Sequence, residues 1–102
     1  MKSSCICPKF EEAFMLLGKR WNGILIKVLL TGPHRFKDIK SQIPLISEKV
    51  LSARLKELEE NNIIIRSVLS ATPIIIQYEL SEKGNSLSAV LNNVEEWAND
   101  WL

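Results

Sequence analysis

Ser47–Asn61, SEKVLSARLKELEEN, decides how the rest of the chain is organised. At about 100° per residue, Leu51, Leu55 and Leu58 fall on one stripe, and Lys49, Ser52, Ala53 and Lys56 fall on the opposite face. Ser47 is a good N-cap, but Val50 stands at N3, so the reciprocal capping box is missing. The outer face is polar, basic near its start and low in profile at Ala53. It can approach a phosphate-lined groove that a long aliphatic or acidic side chain would keep at a distance. The same pattern fits an ordinary core helix with a solvated face, and the flanking sequence has to separate the two.

Immediately upstream, Phe36, Ile39 and Ile43 repeat at helical intervals until Pro44 ends the segment. Only Pro44, Leu45 and Ile46 lie between it and Ser47, so two helices meet through a tight turn, the geometry of a helix-turn-helix. Downstream, Asn61 and Asn62 terminate the helix. Two β-branched runs follow, residues 63–69 and 74–80, joined by a turn over 70–73, which reads as a wing.

Further out, Pro8 opens a helix with Phe10, Ala13, Phe14 and Leu17 at helical spacing, and Gly18 closes it. The apolar run 24–30 predicts a buried helix starting near Trp21 and stopped by Thr31, Gly32 and Pro33. His34 is expected in a solvated turn. Ser81 is a second candidate N-cap, with Gly84 unusual in a first turn, and an apolar stripe runs from Leu87 to Trp101. A terminal helix with two tryptophans has little left to cover in so small a domain. Phe10 and Phe14 of the first helix, with Leu87, Leu91, Val94, Trp97 and Trp101 of the last, therefore predict a homodimer interface.

The expected fold is mainly α with a β-hairpin wing (α+β). It is a winged helix-turn-helix over residues 1–102 as a single domain, with 36–61 the helix-turn-helix, 63–80 the wing, and 1–17 and 85–102 the dimerisation helices. A chain of 102 residues that is 46% hydrophobic can form only a thin core, and oligomerisation would help it.

The net charge of +1 conceals an asymmetry. Residues 1–56 hold eleven Lys or Arg against four Asp or Glu, whereas residues 57–102 hold two against eight. A positive face is compatible with that near-neutral total, and the reversal falls inside the Ser47 helix. No stretch reaches the roughly 20 apolar residues of a membrane span, and the first residues lack the apolar middle of a signal peptide. The expectation is a cytoplasmic protein without a membrane partner. Cys5 and Cys7 are too close to suggest a structural disulfide framework.

Enzymatic readings find little support. His34 is the single histidine, with no nucleophile and acid to build around it. The glycines are isolated, so no phosphate cradle is expected, and a Cys-X-Cys pair with one distant histidine makes a poor zinc site. No metal and no cofactor are expected.

Five segments together resemble the HxlR-type winged-helix transcriptional regulators. They are CysPro at 7–8, LeuLeuGlyLysArgTrp at 16–21, GlyProHisArgPheLysAspIle at 32–39, the run from Ile43 to Glu59, and TyrGluLeuSerGluLysGly at 78–84. The CysProLys start, GlyLysArgTrpAsnGly and GluTrpAla resemble the YodB-type subgroup of thiol-based repressors responsive to quinones and other electrophiles. The resemblance implies a homodimer on a palindromic operator, with the Ser47 helix in the major groove and the wing at the flanking minor groove. It also implies that Cys7 is the sensor, open to a covalent quinone or thiol adduct. Two departures matter. No cysteine follows Cys7 up to Leu102, so no disulfide to a partner's tail is expected, and residues 71–77 carry no cation for a minor groove.

Within this reading, Ser47, Lys49, Ser52, Ala53 and Lys56 are the groove and base-edge candidates, and Arg54 lies at the flank. Arg35, Lys37 and Lys40 are placed to meet phosphates, which fixes register without reading sequence. Cys7 precedes a helix start whose open amides, with Lys9 nearby, favour a thiolate, the form that attacks electrophiles. Cys5 is the weaker candidate. Two alternatives remain at this level: a metabolite-responsive winged-helix regulator without thiol sensing, and a winged helix used only as a protein-interaction module.

Overall fold

The computed structural model describes residues 7–102, so Cys5 lies outside the described residues. In chain order they form α1 (Pro8–Leu17), α2 (Asn22–Leu29), β1 (His34–Arg35), α3 (Phe36–Gln42), α4 (Glu48–Glu60), β2 (Ile64–Ala71), β3 (Ile74–Leu80), α5 (Glu82–Asn85) and α6 (Ser88–Trp101). The expected start and stop signals act where they stand. Pro8 occupies the first turn of α1, and Gly18 caps its end by donating its amide to the Phe14 carbonyl at 2.8 Å. The Ser47 hydroxyl accepts the Val50 amide at 3.1 Å, and Asn61 caps the far end of α4, with Asn62 in the left-handed region at φ 60°.

The core lies where α2, α3 and α4 converge on the base of the hairpin. Leu25, Ile26 and Leu29 of α2, Ile39 of α3 and the Leu51, Leu55, Leu58 stripe of α4 are buried together with Ile63, Ile64 and Leu80. Ile43 and Ile46, in the short connection from α3 to α4, are also buried, so the turn between these helices is pinned at both ends. The antiparallel sheet has the order β1-β3-β2, with His34 opposite Tyr78 and Ile64 opposite Leu80. This is a winged helix-turn-helix.

Three local expectations are corrected. His34 is not in a solvated turn: β1 pairs it with β3, and its Nε2 lies 2.8 Å from the Thr31 hydroxyl. A two-residue strand exists only because its distant partner supplies the hydrogen bonds. The wing turn is shorter than residues 70–73, since only Thr72 and Pro73 separate the strands, and the register shift between Val68 and Ser70 leaves Leu69 as the extra residue of a bulge. The C-terminal stripe is not one helix. Gly84 sits so close to the Ile63 carbonyl that a Cβ would collide with it, and α5 ends within a turn before α6 starts in a new direction.

The molecule is drawn out. Its radius of gyration is 15.4 Å and its extents are 57 × 31 × 24 Å, against about 13 Å expected for a compact domain of this length. The hairpin, α1 and the end of α6 project beyond the core.

Candidate nucleic-acid interface and thiol site

With Leu51, Leu55 and Leu58 buried, the far side of α4 must face outward, and Ser47, Lys49, Ser52, Ala53 and Lys56 are all exposed on it. Arg35 and Lys37 are exposed at the start of α3, beside this face in the helix-turn-helix. Two other predicted contacts are already engaged. Lys40 is half-buried and donates from Nζ to the Pro44 carbonyl at 3.1 Å, which satisfies the end of α3. Arg54 turns back to the Arg20 carbonyl, 3.3 Å from its Nε, at the flank of α4.

The sequence reading overlooked Arg66. Counted there only as one of two cations in the acidic half, it follows buried Ile64 by two residues on the same face of β2 and stands opposite Tyr78. Ser52, Lys56 and Glu59 of α4, with Arg66 and Tyr78, line a cleft of about 280 Å³ between the helix and the sheet. The period-2 step from Ile64 was the signal that could have placed it. The wing beyond this point is apolar, with Ile74 exposed.

Glu57 is also not where the charge pattern put it. It was expected simply to mark the end of the DNA-facing half, but its carboxylate accepts from Lys19 Nζ at 2.8 Å and lies 3.4 Å from Asn22 Nδ2. The Lys19 hydrogen bond holds its pKa below the ordinary 4.5 against the opposing effect of desolvation, with help from the Asn22 bond and the charges of Lys19 and Arg54.

Cys7 is an exposed free thiol at the N-cap of α1. Its backbone is extended (φ −85°, ψ 122°) and its carbonyl accepts the Glu11 amide at 3.0 Å, while its side chain makes no capping hydrogen bond. The sulfur is thus held at a helix start with an open approach for an electrophile. Among the described residues no three His, Cys, Asp or Glu side chains gather as a metal site, and no helix is long and apolar enough to cross a membrane.

Phe10 and Phe14 stack 4.9 Å apart between ring centroids on the outside of α1, both exposed. On α6, Val94, Trp97 and Trp101 are exposed, whereas Leu91 is buried and Leu87 packs against the core. The seven residues read as an interface therefore divide, with Leu87 and Leu91 turned into the protomer.

Residues 16–102 match the family model described as HxlR-like helix-turn-helix. The chain is 54% identical over 96 residues to the HTH-type transcriptional regulator YodB of Bacillus subtilis, covering 94% of this chain and 86% of that protein. It superposes on the reduced form of YodB with a TM-score of 0.86 at 54% identity, covering 94% of each chain. It superposes on the quinone-bound form with a TM-score of 0.82 at 53% identity, covering 94% of this chain and all of that one.

Proposed function

The chain belongs to the HxlR family of helix-turn-helix transcriptional regulators, and from that premise we propose that it is a cytoplasmic, homodimeric repressor whose release from DNA is triggered by an electrophile at Cys7. The observation that carries the DNA half is the exposed face of α4, a row of short or basic side chains backed by a fully buried leucine stripe. Phosphates are met by Arg35 and Lys37 on one side and by Lys56 and Arg66 in the α4–sheet cleft on the other, while Ser47, Lys49, Ser52 and Ala53 approach base edges. A two-fold dimer through Phe10, Phe14, Val94, Trp97 and Trp101 sets two such helices one duplex turn apart, about 34 Å, on an inverted repeat. The protein carries out no catalysis of its own.

At Cys7 the thiolate adds to a ring carbon of a quinone. A sulfur–carbon bond forms, the displaced electron pair moves to a quinone oxygen, that oxygen takes a proton, and the ring ends as a hydroquinone thioether with no leaving group. The exposed sulfur at the N-cap of α1 supports this step, as does the likeness to a regulator with a quinone-bound structure.

The test is a fluorescence-anisotropy titration against the DNA upstream of the protein's own gene at several salt concentrations. Lys49→Ala with Lys56→Ala should weaken binding and flatten the salt dependence, each lost phosphate contact removing about 0.9 from the slope. Unchanged affinity at every salt concentration sinks α4 as the reader. Cys7→Ser should bind the same DNA as the wild type does yet stay bound after treatment with a benzoquinone. Release of that variant would favour the second reading, a metabolite-responsive regulator, which is supported by a cleft of about 340 Å³ between α1 and the α5 region lined by Leu16, Leu17, Ile63, Leu87, Lys9 and Lys83.

A further inference from the structure

We propose that Asn22 and Lys19 are positioning residues for the reading helix: the turn between α1 and α2 clasps the inner edge of α4 and fixes its rotation relative to α1. Asn22 is fully buried. Its Nδ2 donates to the Leu16 carbonyl at the end of α1 at 2.8 Å and lies 3.4 Å from Glu57 Oε1 on α4. Lys19 Nζ reaches the other oxygen of the same carboxylate at 2.8 Å. About one turn earlier on α4, Arg54 Nε donates to the Arg20 carbonyl at 3.3 Å. Residues 19–22 thus hold α4 at two points that interleave with its outward residues Ser52, Ala53 and Lys56.

The turn itself is held in an uncommon shape. Trp21 has φ 81°, a left-handed conformation that a bulky side chain adopts only when its surroundings enforce it, and the Arg20 guanidinium lies 4.6 Å over its ring. Asn22 Oδ1 has no hydrogen-bond partner among the described residues. An orphaned buried acceptor is destabilising, so stability alone would favour an apolar residue of similar volume. The two bonds of Nδ2, which tie α1 to α4 through one amide, account for asparagine there. Because α1 begins at Cys7, this clasp is also the direct polar link between the thiol's helix and the reading helix, an inference that rests on α4 reading DNA.

A misrotated α4 would lose base-edge contacts while its cations still reach phosphates. The test compares affinity for the upstream DNA with affinity for a scrambled duplex, across salt concentrations, in wild type, Asn22→Leu, Lys19→Met and Lys19→Arg. Asn22→Leu and Lys19→Met should lower specific affinity about tenfold, the scale of a lost hydrogen bond to a charged group. The scrambled duplex and the salt slope should be unaffected, and the melting temperature should not fall for Asn22→Leu. Lys19→Arg, which can still reach Glu57, should restore discrimination. Folded variants that discriminate as well as wild type overturn the clasp and leave the proposed function standing. A parallel loss on both duplexes, or a loss that Lys19→Arg fails to rescue, also overturns it. A wild type with no sequence preference overturns the proposed function and the clasp with it. If Asn22→Leu does not fold, the half-exposed Lys19 pair decides.

Discussion

The helices α4 and α6 are nearly equal in length, 13 and 14 residues, and both carry an apolar stripe, yet they end in different circumstances. On α4 the stripe is used up inside the protomer, with Leu51, Leu55 and Leu58 at 0%, 1% and 0% exposure. On α6 only Leu91 is buried, and Trp97 and Trp101 remain 57% and 75% exposed. Helical periodicity identifies an apolar face, but the path of the chain determines whether this protomer covers it. The core-pinned helix can hold a polar face rigidly toward a ligand. The uncovered one presents large aromatic surface that a second copy can bury.

The largest effect that can break this contrast is in the core. Leu55→Ala removes a fully buried side chain and should cost about 2–5 kcal/mol. For a domain of this size that lowers the melting temperature by at least about 10 °C. A fall of under about 4 °C in a circular-dichroism melt would mean that α4 is not pinned as described. The matching change on α6, Trp97→Ser with Trp101→Ser, should leave the helical signal intact and convert dimer to monomer in sedimentation equilibrium. Truncating a buried interface tryptophan typically costs about 2 kcal/mol or more. A dimer that survives at micromolar concentration would place the seam elsewhere.

The same contrast explains what the sequence could tell. The Ser47 cap, the leucine stripe of α4 and the three-residue link from Pro44 were legible because they depend on residues within a turn or two of one another. Recognition of the wing likewise needed only two β-branched runs and a turn. His34 was misplaced because β1 is created by Tyr78 and Gln77, more than forty positions away. Leu87 and Leu91 were assigned with the tryptophans because one stripe passes through all of them. The break after α5 follows instead from the contact between Gly84 and the Ile63 carbonyl. Asn22 reads locally as an ordinary polar residue at a helix start, and Glu57 as one acid in a run of three. Their meeting with Lys19 joins residues 38 positions apart and leaves no mark on periodicity or charge balance.

The smallest effect concerns how firmly the back of α4 is held. The Lys19–Glu57 pair is partly exposed, with side-chain exposures of 41% and 30%, so it contributes modestly to stability. The Lys27–Glu95 pair between α2 and α6 is shorter, at 2.6 Å, but Glu95 is 55% exposed, and solvent screens it further. The Lys19 hydrogen bond lowers the pKa of Glu57 in the folded protein below 4.5, the ordinary value it regains on unfolding. As pH falls, the unfolded chain therefore takes up this proton first. The pair's contribution is complete above about pH 4.5 and is lost as pH falls through the lower folded value. Glu57→Gln, which keeps the shape of the side chain, removes this dependence. The stability difference between wild type and variant, from urea unfolding at a series of pH values, should be small and flat above pH ~5 and should shrink on the acid side. A difference that grew on acidification would mean that the Glu57 carboxylate is not favoured by folding, and α4 would then be held by its leucines alone.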